Sequence, residues 1–452
     1  MHLAATNFGN TKAVSKDRIA ALPTPVLFYS SLVLVCLAFI RLLPNSSALS
    51  TGLTPGRMYE TLLILIGFAI VPLTIMTRGY PLYLRLAGQI PLFAYCLWTL
   101  ASATWSPSPW LSASKSFEMI ALIGGAMLFV SGFDYIRQNR LDFTNALAAV
   151  LVGLVFFGLV ANTFIHGRPF AMKGVDWSTP RPRLMLAHNH PIEYADLTSF
   201  ALIALFASSY SWRKKACLFP ALLLIHQMTD ARISMAALAI AMLVAFFVKY
   251  PNKVRAIAAF VLFNIMLTYF AIITFGPRPD DLFGPILRLQ PEDMENLNGR
   301  TGLWEHSIAK FQETPITGVG FYASRFAIMD EFKWAGDTHN AWIEALLTTG
   351  MIGFGLMVIV LLGALWVAFR THDVLLVGVL FYILVCTYTA APVISAKFPT
   401  LILLICLNEA RVWLPGASQA WRPAISRPEN LTLRSRVSAT RANDYNTGTS
   451  GR

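Results

Sequence analysis

Apolar runs long enough to cross a bilayer recur along nearly the whole chain, and they leave few folds open. A helix crossing the hydrocarbon layer needs about 20 mostly apolar residues and must satisfy its own backbone, because no water is present to do so. Such runs stand near residues 26–43, 59–76, 84–104, 116–132, 145–165 and 192–210. Others follow near 216–229, 231–249, 256–275, 340–368, 373–391 and 396–411. The reading is an all-α, polytopic membrane protein with about 12 spanning helices. Composition agrees: soluble domains carry about a quarter charged residues, whereas these 452 residues are 13% charged and 56% hydrophobic.

A net charge of +12 invites a nucleic-acid reading, but its distribution speaks against one. Lys and Arg gather in short loops between apolar runs and in the C-terminal tail, chiefly on one side of the membrane. With Lys12, Lys16 and Arg18 inside, the cytoplasmic loops and their edges hold Arg78, Arg85, Arg137, Arg140 and Arg213-Lys214-Lys215. Lys249, Lys253, Arg255 and Arg370 join them, against Arg41, Arg57, Lys115 and Lys397 on the other side. This is the positive-inside pattern. It makes residues 1–25 a cytoplasmic segment, 26–411 the membrane domain and 412–452 a disordered, basic cytoplasmic tail able to meet anionic lipid headgroups. The first apolar run is expected to stay as an uncleaved helix, because no small-residue cleavage site follows Arg41.

Two larger segments then fall outside the cytoplasm, 166–191 and 276–338. Their arginines sit where the positive-inside pattern disfavours them, which points to an anionic ligand. The five cysteines all lie inside apolar runs and read as small buried hydrophobes, with neither metal-ligand nor disulfide spacing. No repeated pair of broken helices points to a secondary transporter, and with no phosphate-binding glycine loop and no carboxylate-rich cluster neither a cofactor nor a metal is expected.

The long segment ends in an unusual concentration of polar and aromatic groups. Arg300 opens a stretch, 301–312, that can form an interfacial helix with Leu303, Ile308 and Phe311 as its apolar contacts. Pro315 and the turn Gly318 to Tyr322 end it. Asp337 or Thr338 is then expected to cap a new helix, with His339 and Asn340 in its first turn, where free N–H groups favour anions.

These residues carry a resemblance. His339-Asn340, nine residues, then Gly350-x-x-Gly353 resembles the signature of bacterial O-antigen ligases. Asn298-Gly299-Arg300, followed by Thr301-Gly302-Leu303-Trp304, Pro315 and Gly318-x-Gly320-Phe321, is similar to the preceding loop in the O-antigen ligase and polymerase family. Asp230-Ala231-Arg232-Ile233-Ser234 resembles the family's helix-start arginine, with Ala231 where Ser is frequent. Arg181 and Arg183 before His188-Asn189-His190-Pro191 resemble its shorter extracytoplasmic loop. The resemblance spans roughly 180–366.

It implies metal-independent glycosyl transfer at the periplasmic face of the bacterial inner membrane. The donor would be a glycan on undecaprenyl diphosphate, and the acceptor a sugar hydroxyl, as on lipid A-core. Arg300 and Arg232 would serve with His339 as the catalytic set, the arginines neutralising the diphosphate and His339 taking or orienting the acceptor proton. Arg183, Arg181, Asn340 and Trp304 would bind substrate. Plainer roles stand beside each of these. His339 can be a cap residue, Arg232 can pair with Asp230, and Trp304 and Tyr322 can be interface anchors. Glu193, Asp196 and Glu344 lie at or within apolar runs, where charge is costly and usually functional. A polymerase of the same family is the near alternative, since Arg288 and Gly299 fit an Arg-x10-Gly pattern, although the shorter loop lacks it. A lipid or polysaccharide transporter is the alternative of another class.

Overall fold

The computed structural model describes residues 90–131, 140–170, 172–176, 179–186, 191–250 and 300–388, with isolated positions at 62, 66 and 261. Apart from those positions, the runs near 26–43, 59–76, 256–275 and 396–411 lie outside the described residues, as do segments 1–25, 276–299 and 412–452.

The described part is mostly helical. Helix α1 (Ile90–Ala101) passes through a 3-10 turn (Ser102–Thr104) to α2 (Pro109–Ser131) and α3 (Arg140–His166). After a hairpin come α4 (Pro191–Ala207), α5 (Trp212–Met228) and α6 (Arg232–Lys249). Then follow α7 (Arg300–Glu313), α8 (Ser324–Ile328), α9 (Ala341–Thr371) and α10 (Val374–Cys386). Among the described residues two helices are long and apolar enough to cross a membrane, Thr144–His166 within α3 and the whole of α9. Helical stretches Ile90–Thr104, Ile233–Lys249 and Val374–Cys386 are also apolar but shorter.

One departure from an all-helical reading falls in the segment 166–191. Strands β1 (Met172–Asp176) and β2 (Thr179–Leu184) pair antiparallel, Met172 opposite Leu184 and Lys173 opposite Arg183. Pro180 and Pro182 cannot donate to a ladder, and a two-stranded hairpin, edge on both sides, tolerates them.

Helix association in a bilayer draws on close packing and hydrogen bonds, since lipid is as apolar as leucine. Both are visible. Helix α10 packs along α6, where a β-carbon on Gly378 would stand 2.7 Å from the Ile203 side chain of α4. Partly buried between the three helices, Asp196 of α4 accepts from the Tyr382 hydroxyl of α10 at 2.5 Å and from Ser234 Oγ of α6 at 3.2 Å. Helix α3 packs on α4, and the buried Tyr194 hydroxyl donates to the Val155 carbonyl at 2.9 Å. Helix α1 packs on α9. A second, smaller cluster of Leu303, Ile328, Ala335 and Leu347 seats α7 and α8 on the first turns of α9. Of the apolar contacts expected of α7, Leu303 is buried and Phe311 packs on this cluster, whereas Ile308 is exposed.

A candidate transfer site at a broken helix

Helix α9 is interrupted at Gly350, whose backbone (φ 63, ψ −170) is not helical. A break of this kind strands carbonyl and N–H groups that cannot be left unpaired in an apolar setting. The loop after α7 takes them up. Val319 N–H donates to the Leu347 carbonyl at 2.8 Å, and Gly320 N–H to that of Thr348 at 2.9 Å. The Trp98 indole donates to the Thr349 carbonyl at 2.8 Å, and Met351 N–H donates back to the Pro315 carbonyl at 2.9 Å.

Both glycine pairs follow from this stitching. Gly318 has φ 68, and a β-carbon there would stand 2.6 Å from the backbone nitrogen of Gly350. Gly320 has φ 114, and its β-carbon would lie 2.5 Å from that of Ser106. At Gly350 a β-carbon would collide with the Ile316 carbonyl, and at Gly353 with the Thr349 side chain. Gly318-x-Gly320 and Gly350-x-x-Gly353 are thus largely one device, a loop backbone laid against a helix break.

The loop and break together position the turn that carries His339. Helix α9 is capped by Asn340, whose Oδ1 accepts from Trp342 N–H at 3.0 Å and Ile343 N–H at 3.2 Å. The expected cap at Asp337 or Thr338 is therefore displaced to Asn340, and His339 stands before the helix, not in its first turn. Its φ of 49 explains why, since a left-handed residue cannot continue an α-helix. Asp337 holds that conformation by accepting His339 N–H on Oδ1 at 2.8 Å.

The same oxygen lies 3.2 Å from His339 Nδ1. On its other side the imidazole stacks on Trp334, with 5.8 Å between centroids and 8° between planes. When Nδ1 donates to Asp337, Nε2 carries the lone pair, and it has no hydrogen-bond partner among the described residues. The side chain is 34% exposed, so that nitrogen can be reached.

Arg300, the first residue of α7, is half-buried and makes no hydrogen bond to a described residue. Burial pushes its pKa down from the ordinary value, and the neighbouring Asp337 charge pulls it back up. An arginine stays charged through such shifts. One turn further on, Trp304 spends its indole N–H on the Thr338 carbonyl at 2.9 Å, docking α7 against the His339 turn. Asp337 thus lies within electrostatic reach of Arg300 and in contact with His339.

Below the turn, Glu344 is buried in the first turn of α9. Its carboxylate accepts from Ser324 Oγ at 2.5 Å and from Thr338 N–H at 3.0 Å, tying α8 and the His339 turn to α9. Residue by residue the sequence points to His339, Arg300, Asn340 and Trp304, and the structure gathers all four. It does not by itself single out Trp334 or the bracing role of Asp337. The one signal for the latter is a carboxylate two residues before a histidine, the spacing of an Asx-type turn.

The other arginines belong to a second group. Arg183 on β2 donates through Nε to the Thr229 carbonyl at 2.9 Å and through Nη2 to the Asp230 carbonyl at 3.0 Å. It fastens the hairpin to the end of α5, immediately before Arg232. Arg232 opens α6 and Arg181 lies on β2, with their side chains outside the described residues, as are His188 and His190. The start of α6 and the His339 turn nevertheless share one end of the bundle. Ser234 and Tyr382 meet on Asp196, and five residues beyond Tyr382 the Thr387 carbonyl accepts Ala341 N–H at 2.8 Å. Five helical residues advance about 7.5 Å.

The Arg183 clamp gives a first expectation. Arg183→Lys keeps the charge but loses the planar fork, and hydrogen bonds to a charged donor are worth about 1.5–3 kcal/mol. The variant should lose roughly 2 kcal/mol, read as a lower melting temperature of the purified protein in detergent. An unchanged melting temperature would make the clamp incidental.

Comparison with known proteins places this arrangement. No curated protein matches the chain. Residues 216–358 match the family model described as O-antigen ligase, a stretch that begins in α5 and ends just beyond Gly353. It takes in the helix-start Arg232, the α7 loop, the His339 turn and the broken helix, and over these residues the chain matches the O-antigen ligase family.

Proposed function

We propose that this protein transfers a glycan from undecaprenyl diphosphate to a sugar hydroxyl at the periplasmic face of the bacterial inner membrane, joining O-antigen to lipid A-core without a metal ion. In this reading about 12 spans carry a periplasmic segment, 276–338, in which α7 and α8 lie along the membrane surface. The observation that carries it is Asp337, in contact with the His339 ring and within electrostatic reach of Arg300.

The chemistry follows. An acceptor hydroxyl attacks the anomeric carbon, and its proton passes to His339 Nε2. The bond from that carbon to the diphosphate oxygen breaks, and the diphosphate leaves with the electron pair. Arg300, with Arg232 at the same end of the bundle, offsets the growing negative charge. Asp337 holds the imidazole ring in place and stabilises it once protonated. Arg183 and Arg181 sit on the hairpin beside Arg232 and serve the donor, Arg183 chiefly by bracing the α5–α6 turn. Asn340 fixes the helix start under the histidine, and Trp304 sets the position of α7.

Asp337→Asn separates orientation from binding. It should lower kcat by about 10–100-fold, part of the 10²–10⁴ that a positioned base supplies, with the KM for lipid-linked donor little changed. The assay is purified protein with lipid-linked donor and lipid A-core, without added nucleotide or metal. Absence of transfer by the wild-type protein to any acceptor would sink the enzyme reading. The Arg288–Gly299 spacing favours a second reading, polymerisation of the same donor. Surface glycans of a strain lacking the protein decide between them. Polymer held on the lipid carrier beside bare lipid A-core marks a ligase, and single repeat units mark a polymerase.

A further inference from the structure

The end of the bundle away from the His339 turn, which the positive-inside pattern assigns to the cytoplasm, carries a second cluster of cations. Helix α4 ends there at Ala207, and the carbonyls at a helix end need donors that the helix cannot supply. Two lysines from other helices supply them. Lys215 of α5 donates through Nζ to the Phe206 carbonyl at 3.1 Å and to that of Ser208 at 2.6 Å. Lys249, the last residue of α6, donates to the same Phe206 carbonyl at 2.5 Å. Its ammonium group also lies 4.5 Å from the Phe206 ring centroid and 5.8 Å from that of Tyr250.

Capping a helix end explains one ammonium group at this carbonyl, and not two. Like charges drawn onto a single acceptor repel, and neither lysine forms an ion pair with a described residue. Arg213 and Lys214 add two exposed cations beside them, Arg213 6.0 Å from the Trp212 ring centroid and Lys214 5.5 Å from that of Tyr210. Arg213, Lys214 and Lys215 all open α5, at the end where the helix dipole disfavours cations. Asp373, at the same end of the bundle, caps α10. Topology accounts for basic residues on this side. It does not account for four of them in one corner of three helices, none paired with a carboxylate among the described residues.

The helix surface next to the cluster selects the ligand. Arg213, Cys217, Pro220 and Leu224 follow at i, i+4, i+7 and i+11, the spacing of one helix face, and all four are exposed. From Arg213 to Leu224 that face runs about 16 Å, half the depth of a hydrocarbon core about 30 Å thick. Trp212, 74% exposed, stands in the same turn as Arg213, where an indole suits the headgroup level. The surface is thus apolar along its length and cationic at one end. A free phosphate would use the cations alone. An acidic phospholipid uses both parts, its phosphate among the cations and an acyl chain along the stripe.

We propose that this corner is a binding site for one acidic phospholipid, its phosphate held by Arg213, Lys214 and the Lys215–Lys249 pair and its acyl chain lying on α5. The bound phosphate offsets the repulsion at the Phe206 carbonyl and so braces the ends of α4, α5 and α6 together. The site needs α5 to lie in the bilayer and does not depend on the transfer reading.

Purified full-length protein in a neutral detergent is titrated separately with dioleoyl phosphatidylglycerol, dioleoyl phosphatidylcholine and inorganic phosphate. Bound lipid is counted by native mass spectrometry, and the melting temperature is recorded alongside. The expected result is saturable binding of phosphatidylglycerol that raises the melting temperature and weakens in about 0.5 M salt, with little effect of the other two. Replacing Arg213 and Lys214 together by glutamine changes two exposed side chains, so folding should be kept while phosphatidylglycerol binds roughly tenfold more weakly. Lys249→Gln keeps a donor for the Phe206 carbonyl and should give a similar loss. Arg370→Gln removes an exposed cation at the same end but outside the cluster, and should bind as the wild type does. Phosphatidylcholine bound as tightly, phosphatidylglycerol bound equally by the wild type and the double variant, or an equal loss in Arg370→Gln would each overturn the site. Inorganic phosphate that protects the wild type as well as the lipid does would make this an anion site and overturn the lipid.

Discussion

Replacing His339 with asparagine or alanine is expected to lower glycan transfer by about 10²–10⁴-fold, the range of a positioned general base, while the protein still accumulates in the membrane. The two substitutions test different things. At φ 49 the residue sits in the left-handed region, where asparagine is among the few side chains comfortable and alanine is strained by about 1–2 kcal/mol. Asparagine therefore removes the base with little cost to the turn. Alanine removes both the base and some of the turn's stability. Equal losses in the two variants place the effect in the chemistry. A loss confined to alanine places it in the backbone, and His339 is then only a turn residue. Wild-type turnover in both would take His339 out of the mechanism. The Asp337 contact sharpens the expectation, because it consumes Nδ1 and leaves Nε2 open.

Much of this site was readable in the sequence because its signals are local. Arg300 and Trp304 start one helix, and Thr338 through Asn340 start another, so ordinary helix-boundary reasoning finds both. What joins them was not readable. The Trp304–Thr338 hydrogen bond spans 34 residues, the Trp98–Thr349 bond 251 residues and the Tyr382–Asp196 bond 186 residues. No periodicity announces such pairs. The cap lies two or three residues beyond the expected Asp337 or Thr338 for a related reason. Asp337, Thr338 and Asn340 are all good cap residues, and the choice among them is made by a tertiary contact, Glu344 accepting from Thr338 N–H. That contact holds Thr338 outside the helix. The hairpin at 172–184 carries no clear strand signal, since Pro180 and Pro182 cannot donate to a ladder and fit only where a strand has a free edge.

Gly350→Ala should be as damaging as any change at the catalytic turn, though it touches no substrate. Its backbone lies where essentially only glycine is found, and holding another residue there costs of order 1–3 kcal/mol. The new β-carbon also meets the Ile316 carbonyl, so the 315–320 loop must lift. Lifting it unpairs the Leu347 and Thr348 carbonyls and the Met351 N–H together, each worth about 1–3 kcal/mol when buried without a partner. The sum is a large part of a typical folding free energy of about 5–15 kcal/mol. Gly355→Ala supplies the contrast, since nothing stands within 4 Å of a β-carbon there and alanine favours a helix. Both variants are compared by size-exclusion profile in detergent and by limited proteolysis of the 314–340 region. Gly355→Ala should match the wild type. Gly350→Ala should accumulate poorly, or be cut in that region and lose transfer even with His339 and Arg300 intact. If Gly350→Ala instead folds, resists protease and transfers normally, the break is not what seats the loop, and the common purpose of the two glycine pairs fails with it.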